Sequence, residues 1–205
     1  MTLEETFRWL VGRYTADSRV AGQLWNELET KYSARGRHYH TLQHLKNMLS
    51  YIVTWKSELS NYDSILFGLY YHDAVYNVLR KNNEEKSALL AEKRLNPLHI
   101  PDTTIDTCKL HILATKVHNH SENRDTNFFT DADLSILGQP WPAYETYVDQ
   151  IRKEYSIYPD IIYRPGRRKV LEHFLQMPKI FKTESFFTNF EHQARTNLER
   201  ELQQL

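Results

Sequence analysis

Apolar residues recur every three to four positions along nearly the whole chain, and few stretches alternate as a half-buried strand would. Leu3, Phe7, Leu10 and Val11 predict an amphipathic helix over 3–14. Val20, Leu24, Trp25, Leu28 and Tyr32 predict a second over 18–33, broken by Ser33-Ala-Arg-Gly36. The pattern resumes from Thr41 with Leu42, Leu45, Met48, Leu49 and Ile52 and ends before Asn61. Residues 62–76 predict a strongly apolar helix that carries His72 and Asp73. Asn82 and Asn83 ahead of Glu84 and Glu85 mark the start of a helix through Leu95. Pro97 and Pro101 bracket a loop, followed by a helix over 103–117 with Ile105, Cys108, Ile112 and Val117 as its spaced apolar positions. The polar run 118–127 reads as a loop. After Phe128-Phe129, Thr130 or Asp131 is placed to cap a short helix through Leu137, which Gly138-Gln-Pro-Trp-Pro142 stops. Helices over 143–155, 165–176 and 184–205 complete the chain. No repeat or flexible linker interrupts it. The expectation is all-α, in a single domain over 1–205.

Composition narrows the classes of function. A chain of 205 residues, 40% of them hydrophobic, is long enough to bury one sizeable core. A formal net charge of +0 argues against a generic binder of long nucleic acid or of membrane surfaces, both of which favour a basic excess. It does not oppose a small anionic substrate held by a few local cations. Cys108, alone, excludes an internal disulfide and fits a reducing compartment. The first residues lack a basic stretch leading into an apolar one, and no apolar run reaches membrane-spanning length. A cytoplasmic protein without a membrane partner is expected.

Three polar clusters stand out against this pattern. The run Leu66-Phe-Gly-Leu-Tyr-Tyr-His-Asp-Ala-Val-Tyr76 sets adjacent His72 and Asp73 inside an apolar segment. Burying such a pair is unfavourable by several kcal/mol unless a hydrogen-bond partner or a cation compensates. Arg37-His-Tyr-His-Thr-Leu-Gln-His44 places His40 and His44 four residues apart, on one face if the segment is helical. The two would then chelate one metal, or divide the roles of ligand and acid. In Asp131-Ala-Asp133, Asp131 has a capping role available, which leaves Asp133 unexplained in the first turn of an apolar helix. Histidine nitrogens and carboxylate oxygens are ordinary ligands of divalent transition metals. Two of each leave open positions for water and substrate, an arrangement suited to hydrolysing a phosphate ester.

The order His…His-Asp…Asp on an all-α chain resembles the HD superfamily of metal-dependent phosphohydrolases. Tyr39-His40-Thr-Leu-Gln-His44 is similar to the Tyr-His-Asn-x-x-His element of the cyclic-nucleotide phosphodiesterases, in which the first histidine is the general acid and the second a ligand. The resemblance implies His40 as proton donor and His44, His72 and Asp73 as ligands, with Asp73 also counted as catalytic. Ala132-Asp133-Leu134-Ser135 matches the segment that carries the last ligand, which prefers Asp133 and keeps Asp131 as the alternative. The interval from Asp73 to Asp133 is shorter than in the phosphodiesterases and no purine clamp is apparent, so cyclic-nucleotide specificity is not implied. Leu24-Trp25, Arg37-His-Tyr-His40, Tyr71-His-Asp73, Asn83-Glu-Glu-Lys-Ser-Ala88, Ala114-Thr-Lys-Val-His118, Asp131-Ala-Asp-Leu-Ser-Ile-Leu-Gly138 and Ile151-Arg-Lys-Glu-Tyr155 together resemble a small bacterial group described as HD-type metal-dependent phosphohydrolases. That likeness implies an HD-domain-like helical bundle, with a metal-site core at about 37–138 and C-terminal helices over 143–205. It implies a metal site but names no substrate; one divalent ion (Mn, Fe, Co, Ni, Zn or Mg), or alternatively two, is expected there, and the leading expectation is a small phosphorylated substrate, nucleotide-like by family habit. A homo-oligomer is compatible with the charged C-terminal helix.

Arg37, His118 and Glu85 are the candidates for substrate contact, Arg37 because its guanidinium offers a fork of donors three residues before His40. Arg152 and Lys116 are weaker candidates. His111 is expected to pack, His120 to lie in solvated loop, and Arg167-Arg168-Lys169 to form a solvated basic turn. Two other readings are a catalytically silent HD-type module that binds a nucleotide or docks a partner, and a di-iron oxygenase drawing on His111 and His118.

Overall fold

The computed structural model describes residues 1–205, which are 72% helix with no strand. The helices are Leu3–Gly12 (α1), Ser18–Tyr32 (α2), Leu42–Thr54 (α3), Tyr62–Tyr71 (α4), Asn83–Leu95 (α5), Asp102–Ala114 (α6), Arg124–Leu134 (α7), Trp141–Glu154 (α8), Asp160–Gln176 (α9) and Glu184–Gln204 (α10). Short 3-10 turns occupy Lys56–Glu58, Asn96–Leu98 and Ser135–Gly138. The chain forms two compact units, Met1–Thr130 and Asp131–Leu205. No helix is long and apolar enough to cross a membrane.

In Met1–Thr130, α4 is the central element. Every residue from Asp63 to Tyr71 is buried, as expected of a helix that is apolar on all sides. Helices α1, α3, α5 and α6 pack around it. Gly68 permits a close approach there, because a Cβ would sit 3.3 Å from the Phe129 ring and 3.4 Å from His111 Cβ. The polar residues of α4 are matched individually. Asp63 accepts from Arg13 and from the Tyr14 hydroxyl, and burial together with Asp63 pushes that hydroxyl up to about 12.

Ser64 donates to Asn61 O at 2.9 Å, so its oxygen is left to accept from His111 Nε2 at 3.1 Å. His111 Nδ1 is then the acceptor of the Thr126 hydroxyl at 2.9 Å. Both ring nitrogens of this fully buried histidine are therefore committed, which bears out packing as its role. Burial lowers its pKa to about 4, from 6.5 in an exposed chain. Between pH 6.5 and 4 the unfolded chain binds a proton that the fold refuses, so stability declines as pH falls through that window. The loss amounts to about 3 kcal/mol when complete. Urea midpoints between pH 7 and pH 4 should fall more steeply for the native chain than for His111→Gln, which has nothing to titrate. Parallel curves would reject this assignment.

The polar run before Phe128 is where the sequence reading errs. The structure begins α7 at Arg124, not at Thr130 or Asp131, because Asn123 Oδ1 accepts from Thr126 N–H at 3.0 Å and caps the helix. Asp125, read as loop, is buried, and its carboxylate accepts from Ser60 N–H and Asn61 N–H at 3.0 and 2.6 Å.

In Asp131–Leu205, α10 packs against the turn at Ser135–Gly138. A Cβ at Gly138 would lie 2.5 Å from Phe190 Cβ, so only glycine fits. Arg167, expected in a solvated turn, is instead buried within α9, where it forks onto Glu201 at 2.7 and 2.9 Å. Arg152, a candidate substrate contact, binds Asp160 at 2.8 Å and the carbonyls of Tyr155 and Tyr158.

Candidate metal centre

The centre begins at the C-terminal end of α4. The helix stops at Tyr71, short of the expected 76, because successive amides beyond it turn to other acceptors. His72 N–H still reaches Gly68 O at 2.9 Å. Asp73 N–H donates to the Tyr32 hydroxyl at 3.2 Å, and Val75 N–H to Ser87 Oγ at 3.0 Å. His72 and Asp73 thus leave the helix axis in a turn braced by α2 and α5.

His72 is 1% exposed, and its Nδ1 lies 3.0 Å from Leu69 O. A carbonyl only accepts, so Nδ1 carries the proton and Nε2 of the neutral ring presents its lone pair. That Nε2 faces His44 Nε2 at 3.2 Å and Asp73 Oδ2 at 3.1 Å. His44, 3% exposed, sits in the first turn of α3, where Thr41 is the N-cap. His40 precedes that cap, so the two histidines do not share a helical face as their spacing suggested. Their ring centroids are nevertheless 6.1 Å apart. The His40 ring lies 4.3 Å from that of Tyr76 and 5.0 Å from that of Tyr39.

Asp133 belongs to the last turn of α7, not to the first turn of a following helix. It stands one turn beyond Phe129, whose ring meets His72 edge-on at 5.8 Å. Asp131, the alternative, is committed elsewhere. It accepts from Lys182 N–H, Thr183 N–H and Thr183 Oγ1 at 2.9, 2.7 and 2.8 Å, fixing the segment that enters α10. Burial raises the Asp131 carboxyl against the opposing pull of Lys182 and these donors.

The donor set fits a metal ion. His44 Nε2 and Asp73 Oδ2 approach His72 Nε2 to 3.2 and 3.1 Å, so lone pairs meet there unless a hydrogen or a cation lies between them. Two nitrogens each roughly 2.1 Å from one ion, at an angle of roughly 90–110°, lie roughly 3.0–3.4 Å apart. The observed 3.2 Å falls in that interval.

The remaining candidates lie outside the ligand group. Glu85 pairs with Lys116, and the ammonium holds its carboxyl below the ordinary range. His118 follows α6 in a left-handed backbone conformation, φ 52°. His111, needed for a di-iron ligand set, has both nitrogens engaged. Tyr32 and Ser87, which hold the Asp73–Val75 backbone, carry no chemical signature in the sequence. Tyr32 reads only as a position on an apolar helical face. No family model matches the chain, and no curated protein or solved structure matches it either.

Proposed function

We propose that this chain is an HD-type metal-dependent phosphohydrolase, cleaving a phosphate ester of a small, nucleotide-like molecule in the cytoplasm. The observation that supports this most is the approach of His44 Nε2 and Asp73 Oδ2 to His72 Nε2, at 3.2 and 3.1 Å. His44, His72 and Asp73, with Asp133 as the ligand that the motif order adds, would hold a divalent ion, which would supply a water of lowered pKa and polarise the phosphoryl oxygen. The protein's part is to aim and to balance charge. Leu69 O fixes the His72 tautomer so that its lone pair faces inward. Tyr32 holds the Asp73 backbone by accepting its amide proton. His40, beside His44 but ahead of the α3 cap, protonates the departing oxygen, and so must carry its proton at the working pH.

Elemental analysis of protein purified without chelator, paired with a phosphate-release screen over nucleotides and small phosphate esters, tests this reading. About one equivalent of divalent metal is expected, with release that chelation stops and metal restores. Metal with no turnover on any ester would favour a binding module. Absence of metal after reconstitution would mean that the histidines merely share a proton.

A further inference from the structure

Arg37 is the natural candidate for a phosphate contact near His40, yet the structure gives its guanidinium to the protein. Nη1 donates to His40 O at 3.0 Å and Nη2 to Ala74 O at 3.4 Å. The guanidinium carbon also lies 5.0 Å from the centroid of the Tyr32 ring and 5.3 Å from that of Tyr76. One of these four partners belongs to His40 itself, and the other three each adjoin or contact a site residue. Ala74 follows Asp73, and Tyr32 accepts the Asp73 amide proton. Tyr76 packs its ring on that of His40 at 4.3 Å. One planar cation therefore joins the irregular segment bearing His40 to the turn bearing Asp73, two segments that no regular hydrogen-bond ladder connects.

We propose that Arg37 is a positioning residue that fixes the His40 imidazole relative to the His72–Asp73 turn. This rests on the phosphohydrolase reading for its catalytic consequence, though not for the coupling itself. The fork is what matters. A lysine keeps the charge and can sit near an aromatic face, but a single ammonium on a flexible stem does not span two carbonyls in one plane. Arg37→Lys should therefore resemble Arg37→Met, whereas a residue acting by charge on substrate phosphate would be largely rescued by lysine.

The test uses the full chain with Arg37→Met and Arg37→Lys. In the metal-free protein, the His40 ring-proton signal, assigned by its loss in His40→Gln, should be displaced by the Tyr76 ring current. In both Arg37 variants it should move toward the position of an exposed histidine. Bound metal should stay at the native equivalents, since no ligand is altered. With metal restored, kcat for an alkyl phosphate ester should fall between ~10- and ~100-fold through misplacement of the acid. An activated nitrophenyl ester, whose leaving group needs no proton, should lose little, and KM should hardly change. A raised KM with unchanged kcat and rescue by lysine would overturn the proposal and make Arg37 a substrate contact. An unmoved His40 signal would overturn the coupling. If the native protein hydrolyses no ester, the phosphohydrolase reading fails, while the ring-proton signal still decides whether Arg37 positions His40.

Discussion

Asp73→Ala should lose turnover altogether and reduce metal affinity by at least ~100-fold, while His40→Ala should keep its metal and turn over ~10²- to ~10⁴-fold more slowly. The two residues differ in what their side chains touch. Asp73 Oδ2 lies 3.1 Å from His72 Nε2, so truncation removes a negative oxygen from among the ligand atoms. The brace on this turn is a hydrogen bond from the Asp73 backbone N–H to the Tyr32 hydroxyl, which alanine retains, so the loss should not come from unfolding. His40 approaches the ligands only as a neighbouring ring, 6.1 Å from that of His44. Metal content measured beside kcat separates the cases. Metal lost from His40→Ala would make that residue a ligand, and metal kept by Asp73→Ala would remove Asp73 from the set. Metal retention should weaken as pH falls, because protonation competes for the same histidine lone pairs.

The helices around this site were legible because their apolar spacing is strong. α1, α2, α5 and α10 begin and end within a few residues of expectation. The misreadings fall where side chains, not periodicity, decide the backbone path. The apolar pattern through Tyr76 gives no hint that the Tyr32 hydroxyl and Ser87 draw amides away after Tyr71, so His72 and Asp73 appeared helical. Burial of Asp125, Thr126 and Asn127 ran against their polarity, although Asn123 ahead of them is an ordinary cap signal that marks the true start of α7. Motif order singles out His44, His72 and Asp133 as candidate ligands. The choice between Asp131 and Asp133 by contact could not, because the donors that occupy Asp131 come from residues 182 and 183, far along the chain. Similarly, the assignment of Arg37 to substrate rested on its nearness to His40 in sequence. In space that same nearness turns its fork toward the backbone.

Glu201→Ala should be the most damaging substitution in Asp131–Leu205, destabilising it by roughly 3–5 kcal/mol. Arg167 and Glu201 are only 7% and 3% exposed, and their fork is the only full charge compensation each has in the structure. Tyr144 donates to the same carboxylate at 2.5 Å, and Tyr147 accepts from Arg167 Nη1 at 3.3 Å. Removing the carboxylate strands a guanidinium and a tyrosine hydroxyl together in an apolar setting. The Arg167 guanidinium cannot escape by deprotonating, because a guanidinium keeps its proton at any accessible pH. The deficit therefore persists at every accessible pH. A fall in melting temperature on the order of 10 °C is expected. Arg167→Met combined with Glu201→Leu should recover much of it, since two apolar side chains need no compensation that the site does not offer. Should the double variant prove no more stable than Glu201→Ala, the loss would lie in packing around Tyr144 and not in the unpaired charge. Thermal melts of the single and double variants, run side by side, distinguish the two.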